Sequence, residues 1–166
     1  MKLRKYIKED ADIICRWIRT EDELYRWSAD RFNIFPLMGD DIENNYEPGV
    51  KGGRFFPVTA VDDDDTVVGH FIIRYPREDD DSTVRFGFVI VDPSIRGKGY
   101  GKKMLSLAIN YVKDNFNATR IDLGVFDNNP SAKGCYEAVG FKEYQRRECN
   151  LPIGNWTCID MEMYLQ

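Results

Sequence analysis

The chain has 166 residues, of which 43% are hydrophobic and 13% aromatic, and its formal net charge is −5 at pH 7. This composition excludes a disordered chain and provides enough apolar side chains for the core of one domain, which we expect to span residues 1–166. The excess of acidic residues argues against DNA or RNA as the main partner.

The sequence carries no targeting or metal-binding signal. Its first residues, MKLRKYIKEDADIICRW, have charges every few positions and lack the apolar stretch of a signal peptide. No run approaches 18 apolar residues, so we expect a cytoplasmic protein with no membrane partner. Cys15, Cys135, Cys149 and Cys158 follow no metal-ligand spacing, and His70 is the one histidine. We therefore expect free thiols and no metal site.

The N-terminal part of the chain predicts a strand followed by two helices. Alternation of apolar and polar residues over 2–7 indicates the strand. The apolar positions of IICRWI indicate a helix, for which Asp10 or Asp12 is a candidate N-terminal cap. The segment EDELYRWS, residues 21–28, predicts a second, shorter helix.

A long irregular connection follows, from about residue 29 to 52, and it is rich in Asn, Pro and Gly. Within it, GDDIENNYEPG favours one or two helical turns that end before Pro48. A connection of this length in a compact domain is typical of a binding loop or a lid.

Three strand-like runs come next, over residues 54–61, 66–75 and 83–91. Acidic runs at 62–65 and 78–81 separate them, which predicts an antiparallel meander with short connections. The acidic runs have two interpretations: solvated hairpin turns, or a negative field that attracts a cationic substrate.

The third of these runs alternates, with a glycine in its middle. Val84, Phe86, Phe88 and Ile90 are expected to face one side of the sheet. A glycine weakens a strand unless the backbone there bulges or is closely approached, so we expect one of these at Gly87.

The stretch VDPSIRGKGYGKKML combines bare backbone with positive charge, directly before an amphipathic helix. Free N–H groups and the macrodipole at a helix N-terminus attract anions, and glycine lets a phosphate approach closely. Its GxGxG spacing matches neither the P-loop nor the dinucleotide fingerprint. The stretch therefore predicts a phosphate site of another kind, with a glycine-rich turn bearing solvated lysines as the alternative.

The remaining elements complete a mixed sheet. A strand is predicted over 119–126, and a helix with an asparagine cap over 129–140. Two strands, roughly 141–149 and 156–165, form a final hairpin. The strand–helix–strand order over 83–126 predicts a parallel pair joined by a right-handed crossover, within a sheet that is otherwise antiparallel.

Two motifs resemble those of the GNAT superfamily of N-acetyltransferases. RGKGYG, residues 96–101, is similar to its signature R/Q-x-x-G-x-G/A, and NPSAKGCYEAVGF, residues 129–141, is similar to its NxxAxxxYxxxGF helix. The order of the elements is also that of the family. The resemblance implies an α/β (α+β) fold with a mixed, mostly antiparallel sheet, a central splayed parallel strand pair and helices on both faces. It implies acetyl-CoA as the cofactor.

The resemblance also implies roles for individual residues. Backbone amides of residues 96–102 would hold the pyrophosphate, and main-chain groups of three strand residues would pair with the pantetheine arm. Asn129 would contact the cofactor, and Tyr136 would be the general acid that protonates the departing sulfur. The expected cofactor-binding residues are Val89, Ile90, Val91, Arg96, Gly97, Lys98, Gly99, Tyr100, Gly101, Lys102 and Asn129.

The general base has no matching residue. Some family members carry a glutamate at places that correspond here to Arg85 and Gly124. Asp122 shares a face with Gly124, with a partly exposed structural aspartate as the alternative. His70 could titrate near neutral pH, although a lone histidine in a strand is more often structural.

The acceptor is expected beside the first helices, with Trp27 and Phe32 as candidates for one wall of its site. The sequence thus predicts an N-acetyltransferase for a primary amine of a small molecule, or of a peptide or protein, acting by direct transfer in a ternary complex. A CoA-binding regulatory module without catalysis is the alternative. An acetyltransferase for aminoacyl-tRNA is disfavoured by the acidic balance, and a homodimer through edge strands is compatible with the family's fold.

Overall fold

The computed structural model describes residues 1–166 as seven strands and five α-helices, with one short 3₁₀ turn at Pro93–Ile95. The strands are β1 (Lys2–Lys5), β2 (Phe55–Val61), β3 (Val67–Arg74), β4 (Thr83–Val91), β5 (Arg120–Phe126), β6 (Lys142–Leu151) and β7 (Gly154–Tyr164). The helices are α1 (Lys8–Trp17), α2 (Glu21–Ser28), α3 (Gly39–Lys51), α4 (Tyr100–Asn115) and α5 (Pro130–Ala138).

The strands form one sheet in the order β1-β2-β3-β4-β5-β7-β6. The β4–β5 pair is parallel and every other neighbouring pair is antiparallel. This confirms the predicted mixed sheet, its antiparallel meander and its parallel pair joined through α4. None of the helices combines the length and the apolar composition needed to cross a bilayer.

Helices cover both faces of the sheet, as predicted. On one face α4 and α5 pack against the strands, and Phe86, Met104 and Val112 lie in that core. On the other face α1, α2 and α3 bury a second cluster that includes Ile14 and Ile72. Each such side chain removed from water contributes about 1.5–3 kcal/mol, so these two cores hold the central strands in place.

A β-bulge in β4 changes which side chains face each core. Opposite Phe71, β4 inserts one extra residue, and Phe88 takes a positive φ of 49°. Val84 and Phe86 therefore face α4, whereas Phe88 and Ile90 face α1–α3. The expectation that all four share one face was wrong, because the bulge reverses the alternation.

The bulge begins one residue after the predicted position. A Cβ added at Gly87 would lie 3.2 Å from Cδ1 of Ile72, so the close approach expected at this glycine is present. The positive φ falls on the bulky Phe88 instead, where an L-residue is rarely found. Such strain is typical of positions where the backbone has a function.

The connection before β2 is more ordered than predicted. Helix α3 has 13 residues and passes through Pro48, so the irregular parts of the connection are residues 29–38 and 52–54. Proline removes one backbone hydrogen bond, but here it lies in the last turn, and the Gly52 N–H still donates to its carbonyl at 3.0 Å. Burial of Ile42 and Tyr46 against the sheet outweighs that local loss.

Asp10 anchors α1 to the sheet from inside the helix. It is not the N-cap: the helix begins at Lys8, and Asp10 accepts a hydrogen bond from the Ile7 N–H at 3.0 Å. Arg4 donates two hydrogen bonds of 2.8 Å to its carboxylate, and the Thr59 hydroxyl donates one of 2.7 Å. Burial alone would raise the pKa of Asp10, but these donors hold it below its ordinary value.

We expect Asp10→Asn to lower the free energy of unfolding by about 2–4 kcal/mol at pH 7, because it leaves Arg4 without its charged partner. A lowered pKa stabilises the fold above the unfolded value near 3.9 and is lost as pH falls through the folded value. The difference between variant and wild type should therefore shrink below about pH 4. Urea unfolding across a pH series measures this, with the exposed Asp12→Asn as the matched control. A difference that stays constant down to pH 2 would contradict it.

Candidate active site

Strands β4 and β5 pair over only three positions, and this opens a cleft in the middle of the sheet. The paired residues are Thr83 with Arg120, Val84 with Ile121, and Arg85 with Asp122. Beyond them β4 continues along β3 and β5 continues along β7, so the two strands part. Their facing backbone groups are left without a strand partner, which makes them available to a ligand.

Two adjoining cavities of about 530 Å³ each occupy this cleft. One, the α4 cavity, lies between the N-terminus of α4, the end of β4 and α5. The other, the arginine cavity, lies between β3, β5, β7 and the end of α2. They share residues 86–88, Gly124 and Val125, and also Arg26 and Trp27, so one molecule can extend from one cavity into the other.

The loop before α4 presents a row of unused hydrogen-bond donors to the α4 cavity. No backbone N–H from Arg96 to Lys102 donates to any group of the chain, and the first that does is Lys103, to Gly99 at 3.1 Å. Gly97 and Gly99 have positive φ values of 79° and 82°, which glycine adopts without strain. The arrangement is a helix N-terminus prepared for an anion.

The strand register decides which main-chain groups of β4 face the cleft. The Asp92 N–H donates to Val68 at 2.9 Å, so the alternating pattern turns the backbone of Ile90 towards β3. Val91, and Val89 before it, then turn their backbone groups towards β5, where no strand pairs with them. Of the three residues expected to hold the pantetheine arm, Val89 and Val91 are free to do so.

Helix α5 places two predicted residues on the same cavity. Asn129 caps the helix, accepting from the Ala132 N–H at 3.4 Å, and its amide N–H₂ stays available. Tyr136 is 6% exposed, lines the cavity, and makes no hydrogen bond through its hydroxyl. Burial raises the pKa of this phenol well above its usual value, so it keeps its proton at neutral pH.

All the predicted cofactor-binding residues except Lys98 line the α4 cavity. The side chain of Lys98 is exposed outside it, so this lysine contributes charge rather than a wall. Trp27 lies at the junction of both cavities, and its indole N–H is buried without an acceptor. Phe32 is buried and stacks behind Trp27 at a centroid distance of 5.7 Å, so it supports the indole rather than lining a wall.

The arginine cavity contains a carboxylate that the sequence analysis missed. Asp160 lies opposite Gly124 and accepts hydrogen bonds from Arg147 at 2.9 Å, Gln145 at 2.8 Å and Arg85 at 3.1 Å. Burial opposes ionisation of Asp160, but these donors lower its pKa. It is therefore ionised and a weak base. The sign of this carboxylate in the sequence was a charged residue within the last predicted strand. Its place in the cavity follows from the β5–β7 register, which the sequence alone does not give.

The other two base candidates, Asp122 and His70, line neither cavity. Asp122 is buried rather than partly exposed, and it is paired with Arg85 at 3.1 Å and with Arg120 at 3.7 Å. His70 lies outside both cavities and bonds to the Tyr46 hydroxyl at 2.8 Å. Burial lowers the pKa of His70 to about 3, so it is neutral across the physiological range.

The parallel strands β4 and β5 separate in the middle of the sheet, and the backbone N–H groups at the start of α4 have no acceptor. These two features define a protein that binds an extended, phosphate-bearing molecule. Residues 15–141 match the model of the acetyltransferase (GNAT) family. The chain belongs to this family, which confirms the resemblance seen in the two sequence motifs.

Three individual proteins are similar to the chain. The chain is 33% identical over 93 residues to a UPF0039 protein of Schizosaccharomyces pombe, covering 50% of this chain and 61% of that protein. It is 34% identical over 69 residues to a spermine/spermidine N(1)-acetyltransferase of Bacillus subtilis, covering 42% and 45%. The matches thus span about half the length of these relatives. The crystal structure of a Vibrio cholerae spermidine N-acetyltransferase in complex with CoA and spermine superposes with a TM-score of 0.82 at 19% identity, covering 98% and 94%.

We expect Gly99→Leu to weaken CoA binding at least tenfold. A leucine at this positive φ costs about 1–2 kcal/mol and turns the row of N–H groups away from the cavity. Gly53→Leu is the matched control, since Gly53 has a φ of 70°, open surroundings and no place in either cavity. Calorimetric titration with CoA measures the affinity, and thermal unfolding compares the strain. Wild-type affinity in the Gly99 variant would show that the loop does not hold the cofactor.

Proposed function

We propose that this protein is an acetyl-CoA-dependent N-acetyltransferase that acts on a primary amine of a small molecule. The observation that carries the proposal is the row of unused backbone donors from Arg96 to Lys102 at the mouth of the parted strands. Family membership supports the reaction, and the names of relatives that acetylate spermine and spermidine support an amine as acceptor. Peptide and protein amines form a second class of acceptor to be tested.

The residues present fit acetyl-CoA. Backbone N–H groups of residues 96–102, with the guanidinium of Arg96 and the ammonium of Lys102, suit a pyrophosphate. The free main-chain groups of Val89 and Val91 suit the amides of an extended arm that enters between β4 and β5. Acetyl-CoA, when bound, supplies an acetyl group activated as a thioester.

Tyr136 supplies the proton for the departing sulfur. With acetyl-CoA bound, the acceptor nitrogen would form a bond with the acetyl carbon as the carbon–sulfur bond breaks. Tyr136 gives its phenolic proton to the sulfur and takes one back from water, while the amine loses its extra proton to water. The raised pKa of the phenol ensures that the proton is present at the start of each turnover.

The chain does not remove the proton of an ammonium ion efficiently. Asp122 and Asp160 are engaged by arginines, and Glu23, the carboxylate that lines the α4 cavity, accepts a hydrogen bond from the Arg19 N–H at 2.6 Å. A lysine-like amine with a pKa of about 10.4 costs roughly 4.6 kcal/mol to neutralise at pH 7. An α-amine with a pKa of about 7.7 costs only about 1 kcal/mol. Acceptors of low pKa are therefore favoured.

Tyr136→Phe should reduce kcat by about 10²–10⁴-fold and leave the affinity for acetyl-CoA unchanged, because only the proton donor is removed. Tyr111→Phe is the matched control, since this half-buried tyrosine of α4 packs on Phe116 outside both cavities. Free-thiol release from acetyl-CoA across a panel of polyamines, amino acids, amines and short peptides measures the rate. Binding of acetyl-CoA with no release on any acceptor would replace the proposal by the regulatory alternative.

The pH dependence of kcat/KM provides a separate test of whether the protein lacks a general base. We expect kcat/KM to rise about tenfold per pH unit until it reaches the pKa of the acceptor amine, because the neutral amine is the nucleophile. No break near pH 6–7 is expected, since the pKa of His70 is about 3. Initial rates between pH 5.5 and pH 9 measure the profile, with acetyl-CoA affinity as the control. An ascending break near pH 6–7 that stays in place when the acceptor is changed would reveal a general base in the protein.

A further inference from the structure

The arginine cavity is positively charged in a chain whose net charge is −5. Five arginines line it, against two aspartates, Asp30 and Asp160. The acidic runs at 62–65 and 78–81 line neither cavity, so they do not offset this charge. Their place in turns supports the interpretation as solvated connections rather than as a field for a cationic substrate.

Two of the five arginines are fixed by the carboxylates around them. Arg85 reaches Asp122 and Asp160 at 3.1 Å each, and Arg147 reaches Asp160 at 2.9 Å. Asp160 thus orients two guanidinium groups over Gly124, where a Cβ would come within 2.8 Å of the Arg85 guanidinium. The glycine at position 124 leaves room for this arrangement.

The other three, Arg26, Arg31 and Arg74, have no ion-pair partner in the chain. Arg74 is half-buried at the end of β3, directly opposite Arg85 on the neighbouring strand. Like charges in such a cross-strand pair destabilise a sheet. Burial lowers the pKa of Arg74 to about 10, and the charges of Arg31 and Arg85 add to the effect.

This unfavourable grouping is relieved when an anion enters the cavity, because guanidinium groups bind carboxylates and related oxyanions through paired hydrogen bonds. The cavity opens at residues 86–88 and Gly124 into the α4 cavity, so a molecule whose anion is held there has room to reach the reaction centre. A polyamine would bring further positive charge to the same place, where it would be repelled.

We propose that the acceptor is a small amine that also carries a carboxylate or another oxyanion, which Arg74 and Arg31 bind while the amine faces the α4 cavity. This inference rests on the proposed function and narrows its substrate class. Arg85 is a positioning residue here: Asp122 and Asp160 hold it opposite Arg74, while the unpaired positive charge is that of Arg26, Arg31 and Arg74.

The test compares amines that differ only in the anion. Thiol release from acetyl-CoA is measured for amino acids and ω-amino carboxylates of increasing length, each against its neutral amide, and for spermidine. The amide lacks the nearby negative charge that raises the pKa of the amine, so without an anion site the amide would be the better acceptor. We expect the carboxylates to show kcat/KM at least tenfold above their amides and above spermidine.

In Arg74→Gln, KM for the carboxylates should rise about 10- to 100-fold, while KM for the amides and for acetyl-CoA stays unchanged. Arg74→Lys should recover part of the loss. Arg146→Gln is the matched control, since Arg146 lies next to Arg147 in β6 but pairs with Glu143 outside the cavity. Thermal unfolding should show that Arg74→Gln is at least as stable as wild type, because a like-charge pair is removed.

If the wild type prefers the amides or spermidine, the inference about the acceptor is overturned, whereas the proposed acetyltransferase activity still stands. A ratio of kcat/KM for carboxylate over amide that Arg74→Gln leaves unaltered would overturn it as well.

If acetyl-CoA binds but no amine is acetylated, the proposed function fails. Calorimetry with 4-aminobutyrate and its amide on CoA-saturated protein then decides the anion site alone. Tighter binding of the carboxylate that is lost in Arg74→Gln supports the site, and equal binding overturns it.

Discussion

The early end of the β4–β5 ladder is the constraint on which the other features depend. A parallel pair at the centre of a sheet would normally bond along its whole length, because buried backbone groups left unpaired are costly. Here pairing stops after Arg85 and Asp122, whose side chains form an ion pair at 3.1 Å across the last paired position. The bulge at Phe88 bends β4 away, and the complete β5–β7 ladder holds β5 in place.

The two cavities that result use positive charge of different origins. In the α4 cavity, backbone N–H groups and the helix dipole, which are fixed by the fold, add to the side chains of Arg96 and Lys102. In the arginine cavity the positive charge comes from side chains, two of them held by Asp160. The overall negative charge of the chain is carried partly by turns that line neither cavity, so net charge describes the surface and not the site.

The parts of the site that could be predicted are those encoded locally. The glycine loop, the Asn129 cap and Tyr136 lie in two continuous motifs, and all of them face one cavity. The reversal of side-chain faces after Gly87 was not predictable, because a bulge depends on the partner strand. Nor was the pairing of Arg85 with Asp160, since it joins residues 75 positions apart through the register of two further strands.

The same distant pairing explains why the expected base is absent. A carboxylate beside Gly124 does exist in Asp160, but three donors lower its pKa and occupy its oxygens. A group held in this way is a poor proton acceptor and a good anchor for arginines. The site therefore distinguishes acceptors by the charge they carry, and it leaves the loss of the amine proton to the pKa of the amine itself and to water.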